Sequence, residues 1–268
     1  MYALTYLRPR SLDEALAMLQ QHEEARPLAG GMTLLPTLKQ RLAAPSHLID
    51  LSALPELSGI RYEDGVLHVG AATRHAEVAR SPVVAAAVPA LAYLAGLIAD
   101  PQVRNRGTMG GSVANNDPAA DYPAATLGLD ATVITNTRRI AADDFFVGMF
   151  ETALEPGELI VGFEFVPPAA AAYRKFRHPA SGYAQVGVFV ARRVEGVRVA
   201  VTGAGASVFR WREAEAALQE ACELASLDGL TLDAAYLEEA AADQLAWRAN
   251  LVEVYTRRAV AALNNSTH

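Results

Sequence analysis

The chain has 268 residues, 51% of them hydrophobic, which is enough to bury a substantial core and excludes a disordered chain. With 30 acidic against 23 basic side chains the formal charge is −7, so neither a nucleic-acid backbone nor an anionic membrane surface is an expected partner. The single cysteine, Cys222, excludes an internal disulfide and leaves the chain unable to hold an iron–sulfur cluster by itself.

The N-terminus MYALTYLRPRS has no basic stretch followed by an apolar one, and no run approaches 18 apolar residues. Neither export nor membrane insertion is predicted, and the cytoplasm is the expected compartment. Tyr2 to Tyr6 reads as a strand, and Ser11-Leu12-Asp13-Glu14 as a capping box that opens a helix with Leu12, Ala15, Leu16 and Leu19 on one face. A Gly-Gly turn follows, then helical composition from Met32 to Leu42 and a strand over His47 to Leu51. Residues 1–55 therefore form a βαβ-like lobe.

Two alternating segments flank Glu63-Asp64-Gly65, which predicts a hairpin. Helices are expected at Thr73 to Val78 and Val83 to Ile98, the second broken at Pro89. The stretch from Asp100 to Pro118 is dense in Gly, Asn, Asp and Pro without usable periodicity, and is expected to be an ordered loop. A helix over Tyr122 to Leu129, a strand over Ala131 to Thr135 and a strand over Leu159 to Val166 complete a second lobe, residues 56–168, ended by Pro167-Pro168. Beyond it, residues 169–268 read as a C-terminal lobe. Long antiparallel strands run over Tyr183 to Val194 and Val197 to Ala204; helices follow, with a frayed tail at Asn264 to His268. Cys222 falls in an amphipathic pattern from Trp211 to Leu227 and is expected to be a buried thiol.

Two loops carry chemistry. Ala29-Gly30-Gly31-Met32-Thr33 and Thr108-Met109-Gly110-Gly111-Ser112 each lack side chains where backbone N–H groups can approach an anion, and two such loops from different lobes could clamp a pyrophosphate from opposite sides. Either turn alone has a structural explanation, because many βα turns use glycine for positive φ. The six histidines show no metal-ligand spacing and no Gly-x-Ser-x-Gly occurs, so no metal site and no serine nucleophile are expected. Asp143-Asp144 and the pair Asp117 and Asp121 are explained by loop solvation and helix capping, and Arg192-Arg193 and Arg257-Arg258 by solvated element ends.

AGGMTLLP at 29–36, ADPQVRNRGTMGGSVANNDPAADYPAA at 99–125 and YRKFRHPASGYAQVGV at 173–188 resemble the FAD-binding medium subunits of the xanthine dehydrogenase and carbon monoxide dehydrogenase family. The resemblance implies an α+β chain: a two-lobed FAD-binding fold of the vanillyl-alcohol oxidase (PCMH) type, then a C-terminal lobe of antiparallel sheet and helices. It implies FAD contacts from Leu28, Ala29, Gly30, Gly31, Met32, Thr33 and Leu34 in the first loop, and from Thr108, Met109, Gly110, Gly111 and Ser112 in the second. It further implies that Asp121 contacts the adenosine part, Ile98 and Ile160 line the cofactor, Lys175 lies near the flavin and Tyr183 covers one face of its ring. Each of these has a plainer role open to it: Asp121 as a helix cap, Tyr183 as strand core, Ile98 and Ile160 as ordinary buried residues.

By the same resemblance no protein residue is catalytic, since the flavin does the chemistry. A large molybdenum-cofactor subunit and a small 2Fe-2S subunit are the implied partners, in a dimer of heterotrimers that could lie at the inner membrane. Electrons would leave to NAD, oxygen or a quinone. Departures from the family pattern are Gly182, where many relatives are acidic, and Met32-Thr33, where His-Ser is frequent. The alternatives are a self-sufficient flavin oxidase or dehydrogenase and a cofactor-free scaffold; the substrate is not legible.

Overall fold

A computed structural model describes residues 1–237 and 244–265. Three strands, β1 (Thr5–Leu7), β2 (Ala25–Leu28) and β3 (His47–Asp50), form a parallel sheet in the order β1-β3-β2. The helix Leu12–Gln21 is capped by Ser11, whose Oγ accepts from Glu14 N at 3.2 Å. The other half of the expected box is displaced by one residue, because Glu14 Oε2 takes Arg10 N at 2.5 Å. After the first glycine turn the helix spans only Leu34–Lys39, ending before Arg41 adopts a left-handed backbone at φ 61°.

Five strands make the second sheet: β4 (Ile60–Glu63), β5 (Val66–Gly70), β6 (Thr132–Thr135), β7 (Arg139–Ala141) and, after the small hairpin β8 (Phe146–Gly148) and β9 (Glu151–Thr152), β10 (Ile160–Phe165). Their order is β4-β5-β10-β6-β7 and every pairing is antiparallel. Helices His75–Arg80, Pro82–Ala87 and Pro89–Gly96 cover it, with prolines opening the last two. The stretch expected to be a loop, Asp100 to Pro118, is mostly helical. Asp100 caps the helix Pro101–Arg104 through Val103 N at 2.8 Å, and Thr108 caps Met109–Asn115 through Gly111 N at 3.2 Å. Capping and packing outweigh the poor helix propensity of Gly110 and Gly111.

The third sheet is β11 (Ala170–Arg177), β12 (Ala184–Arg193), β13 (Gly196–Thr202) and β14 (Phe209–Arg210), antiparallel in that order. Alternation along β12 serves two cores. Val186, Val188 and Val190 face a cluster with Trp211, Val252 and Leu263 beneath the helix Leu245–Asn265, whereas Phe189 and Ala191 join the core of the second sheet. The helix Tyr122–Gly128 packs on β12 and β13, so the core of the second sheet and the third sheet are continuous. Of the expected frayed tail, residues 264 and 265 end the last helix, and 266–268 lie outside the described residues.

Several polar expectations change. The helix expected over Trp211 to Leu227 spans only Arg212–Ala217, and Cys222 sits half-buried in the connection before the turn Leu224–Leu227. Arg193 is not a solvated strand end: its Nη1 donates to Leu129 O at 2.5 Å, and Arg198 Nη1 donates to Leu127 O at 3.2 Å. Both thereby satisfy terminal carbonyls of the helix Tyr122–Gly128. Asp143 is likewise not merely loop-solvated, since it pairs with Arg198 at 3.1 Å and Arg210 at 3.0 Å. The guanidinium of Arg257 is also engaged, with Asp228 at 3.0 Å and Leu227 O at 2.5 Å.

Candidate functional site

The two glycine loops meet. Leu28 ends β2, and Ala29 and Gly30 then run against the second loop so closely that a Cβ on Gly30 would lie 2.1 Å from Arg106 O and 2.7 Å from Gly107 Cα. A Cβ on Gly111 would sit 3.8 Å from Ala29 Cβ. Gly31 turns the chain at φ 74°, a region L side chains rarely adopt. Among the described residues, the backbone N–H groups of Gly30, Gly31, Met32, Thr33 and Leu34 have no acceptor within the chain. Such a row of amides before a helix is the donor set an anionic phosphate requires.

The second loop is different in kind. Met109 N donates to Thr73 O at 3.0 Å, Gly110 N to Ala71 O at 2.8 Å, Gly111 N to Thr108 Oγ1 at 3.2 Å and Ser112 N to Thr108 O at 3.1 Å. The expectation of a second set of open amides is therefore corrected: these N–H groups hold the loop's own shape. What the loop offers outward is the half-buried Ser112 hydroxyl. Ala71 also donates to Val161 O at 2.9 Å, which ties the loop to β10 beside Ile160. Ile160 is buried, and Ile98 packs half-buried on the same core.

Asp121 and Lys175 are brought together away from solvent. Lys175 Nζ donates to Asp121 Oδ2 at 2.9 Å and the Tyr173 hydroxyl donates to Oδ1 at 2.6 Å, with the two charged side chains 1% and 5% exposed. Burial pushes the Asp121 carboxyl up, opposed by the Lys175 ammonium and the Tyr173 hydroxyl. Asp121 makes no capping bond, so helix capping does not account for it. No motif marks Tyr173, although strand alternation puts it on the same side of β11 as Lys175, two residues on.

Tyr183 is half-exposed at the rim of a cleft of about 650 Å³ lined also by Asp117, Met149, Phe150, His178, Gln244 and Arg248. Burial and the nearby Asp117 and Asp121 carboxylates raise its phenol above the usual range. Between the loops and the Asp121 cluster lies His75, a residue that no motif or spacing marks. Its ring is 5.3 Å from that of Tyr122, and burial, with a further contribution from Arg104, lowers it to about 4. Among the described residues no group of His, Cys, Asp and Glu side chains is arranged to hold a metal ion.

A glycine-loop cradle with open amides lies near a buried carboxylate and an exposed tyrosine on an α+β scaffold. Residues 2–168 match the family described as the FAD binding domain in molybdopterin dehydrogenase. The chain is 40% identical over 220 residues to the carbon monoxide dehydrogenase medium chain of Hydrogenophaga pseudoflava, covering 76% of each. It is 36% identical over 224 residues to the nicotine 6-hydroxylase medium subunit of Paenarthrobacter nicotinovorans, covering 80% of this chain and 79% of that one. Its fold superposes with a TM-score of 0.89 on a chain of the carbon monoxide dehydrogenase of H. pseudoflava that lacks the Mo-pyranopterin moiety, at 36% identity, covering 98% and 97%.

The chain belongs to the FAD-binding medium subunits of the xanthine dehydrogenase and carbon monoxide dehydrogenase family of molybdenum hydroxylases. It has the two-lobed α+β FAD-binding fold of that family with a C-terminal antiparallel sheet and helices, and it is an FAD-binding electron-transfer subunit of such a complex.

Proposed function

We propose that the chain takes electrons from 2Fe-2S clusters of a small partner subunit and passes them to an external acceptor, NAD, oxygen or a quinone. A large molybdenum-cofactor subunit oxidises the substrate. The single cysteine supports this division of labour, because the clusters that feed the flavin need thiolates that this chain lacks. Assembly as a dimer of heterotrimers in the cytoplasm, and a division into lobes at 1–55, 56–168 and 169–268, belong to the same reading.

The observation that carries it is the contact of Gly30 with the Arg106–Gly107 backbone, which places a row of unpaired N–H groups at the seam of two loops. Bound there, FAD supplies the redox chemistry, and the protein supplies binding, orientation and electrostatics. The first loop, Leu28 to Leu34, holds the pyrophosphate through its amides. Thr108 to Ser112 presents a rigid wall and the Ser112 hydroxyl. Ile98 and Ile160 exclude water, Asp121 and Lys175 orient the cofactor as a neutralised pair, and Tyr183 covers the ring.

The test is co-expression with the neighbouring large and small subunits. The assembled complex is expected to reduce its flavin when given its substrate under anaerobic conditions, whereas the isolated chain retains FAD and oxidises nothing. Full substrate turnover by the isolated chain would overturn the reading.

A further inference from the structure

The seam between the glycine loops has a wall behind it. On one side the backbone of Gly107 touches Gly30; on the other, a Cβ on Gly107 would lie 2.5 Å from His75 Nε2, 2.8 Å from His75 Cδ2 and 3.2 Å from Val103 O. His75 N donates to Gly107 O at 2.9 Å, and its ring is 5% exposed and backed by the fully buried Tyr122. First loop, Gly107, His75 and Tyr122 thus form a continuous packed row that ends at Asp121, the next residue back in the chain.

Within this row the imidazole acts by volume. Its buried Nδ1 has no protein partner among the described residues, nor has the Tyr122 hydroxyl, so no side-chain hydrogen bond of this chain fixes the ring and its packing does.

We propose that His75 is a positioning residue for FAD: its ring, acting through Gly107, sets how far the second glycine loop stands from the first. The proposal rests on the assignment of these loops to FAD. Because the contact is steric, it makes a compensation prediction. Gly107→Ala drives a methyl group into the imidazole and spreads the loops, and His75→Ala removes the obstacle.

The experiment measures FAD affinity by flavin fluorescence quenching on full-length apoprotein, with the visible circular dichroism of the bound flavin and the thermal midpoint of each apoprotein as companions. Gly107→Ala is expected to weaken FAD by about tenfold or more, since a methyl group driven into a packed ring forces the loops apart. Gly107→Ala combined with His75→Ala is expected to recover at least half of that loss on a logarithmic scale, short of full recovery because Val103 O remains close. His75→Phe, which keeps a ring there, is expected to stay within about threefold of the natural protein with an unchanged flavin dichroism band.

A double variant that binds no better than Gly107→Ala overturns the proposal. So does a folded His75→Phe protein that loses FAD as severely as Gly107→Ala, because the role would then be polar. Unaltered FAD affinity in a folded Gly107→Ala protein overturns it too, whereas failure of the loop assignment itself is read separately, from unaltered FAD affinity in Gly30→Ala.

Discussion

Lys175 Nζ sits 2.9 Å from Asp121 Oδ2 across the face of β11, and the Tyr173 hydroxyl closes the other carboxylate oxygen at 2.6 Å. A buried pair of this kind is held by its geometry: removing one partner strands the other charge without water. Lys175→Met is therefore expected to lower stability by about 3–5 kcal/mol, and combining it with Asp121→Asn to recover most of that. Urea unfolding of the apoproteins reads both. In Lys175→Met the main cation opposing the upward push of burial on Asp121 is gone and only the Tyr173 hydroxyl and the weaker pull of Arg177 remain, so the loss is expected to shrink as pH falls and the carboxyl takes its proton. Additive effects of the two substitutions would contradict the pairing.

His75 makes a second prediction with a definite sign. Burial, with Arg104, lowers its imidazole from the ordinary 6.5 to about 4, so between these values the unfolded chain binds the extra proton. The stability is fully present above pH 6.5 and is lost as pH falls toward 4, with a slope up to about 1.4 kcal/mol per unit. His75→Phe removes that titration. Its stability is expected to fall less steeply than the natural protein's over this range, and parallel curves would count against a buried neutral ring.

Glu158 organises the turn beside Ile160. Its Oε1 accepts from Thr135 Oγ1 at 2.6 Å, Thr137 Oγ1 at 2.8 Å and Arg138 Nε at 2.9 Å, while Oε2 accepts from Arg138 Nη2 and Glu155 N, both at 2.9 Å. The Arg138 guanidinium foremost holds this carboxyl well below the usual range, so its contribution is present at neutral pH and is lost in acid. Glu158→Ala is expected to cost about 2–3 kcal/mol, since several donors lose one acceptor together. Calorimetry of the apoprotein checks this, and a change within about 0.5 kcal/mol would show the network to be ornamental.

Two arginines that share Asp143 should differ sharply in weight. Arg198, 14% exposed, reaches Asp130 at 2.7 Å, Asp143 at 3.1 Å and Leu127 O at 3.2 Å; Arg212, 59% exposed, makes only pairs of 3.7 and 4.0 Å. Arg198→Met is expected to destabilise by about 2–4 kcal/mol and Arg212→Ala by less than about 0.5. Equal losses in a denaturant titration would remove the distinction between clamp and surface.

Local patterns carried much of this structure openly. The hairpin at Asp64-Gly65, the break at Pro89 and the alternation of β12 follow from turn chemistry and the period of two, and the glycine loops are visible as composition. What was hidden depends on partners distant in the chain. Whether Gly110 N is open to a ligand is decided by Ala71 O, whether Asp121 is a cap or a buried ion by β11, and whether His75 matters by Gly107. The helices within 101–115 were hidden because glycine and asparagine argue against helix, while a cap and a close-packed neighbour argue for it more strongly.

The central claim is that FAD is held where the first loop runs against the second, and Gly30→Ala probes it most directly. A methyl group there would lie 2.1 Å from Arg106 O, a backbone atom that cannot swing aside, so the loops must part. Flavin titration of the apoprotein is expected to show affinity reduced by about a hundredfold or more, with the thermal midpoint of the apoprotein only modestly lowered. A folded Gly30→Ala protein that binds FAD with the affinity of the natural chain would contradict the account.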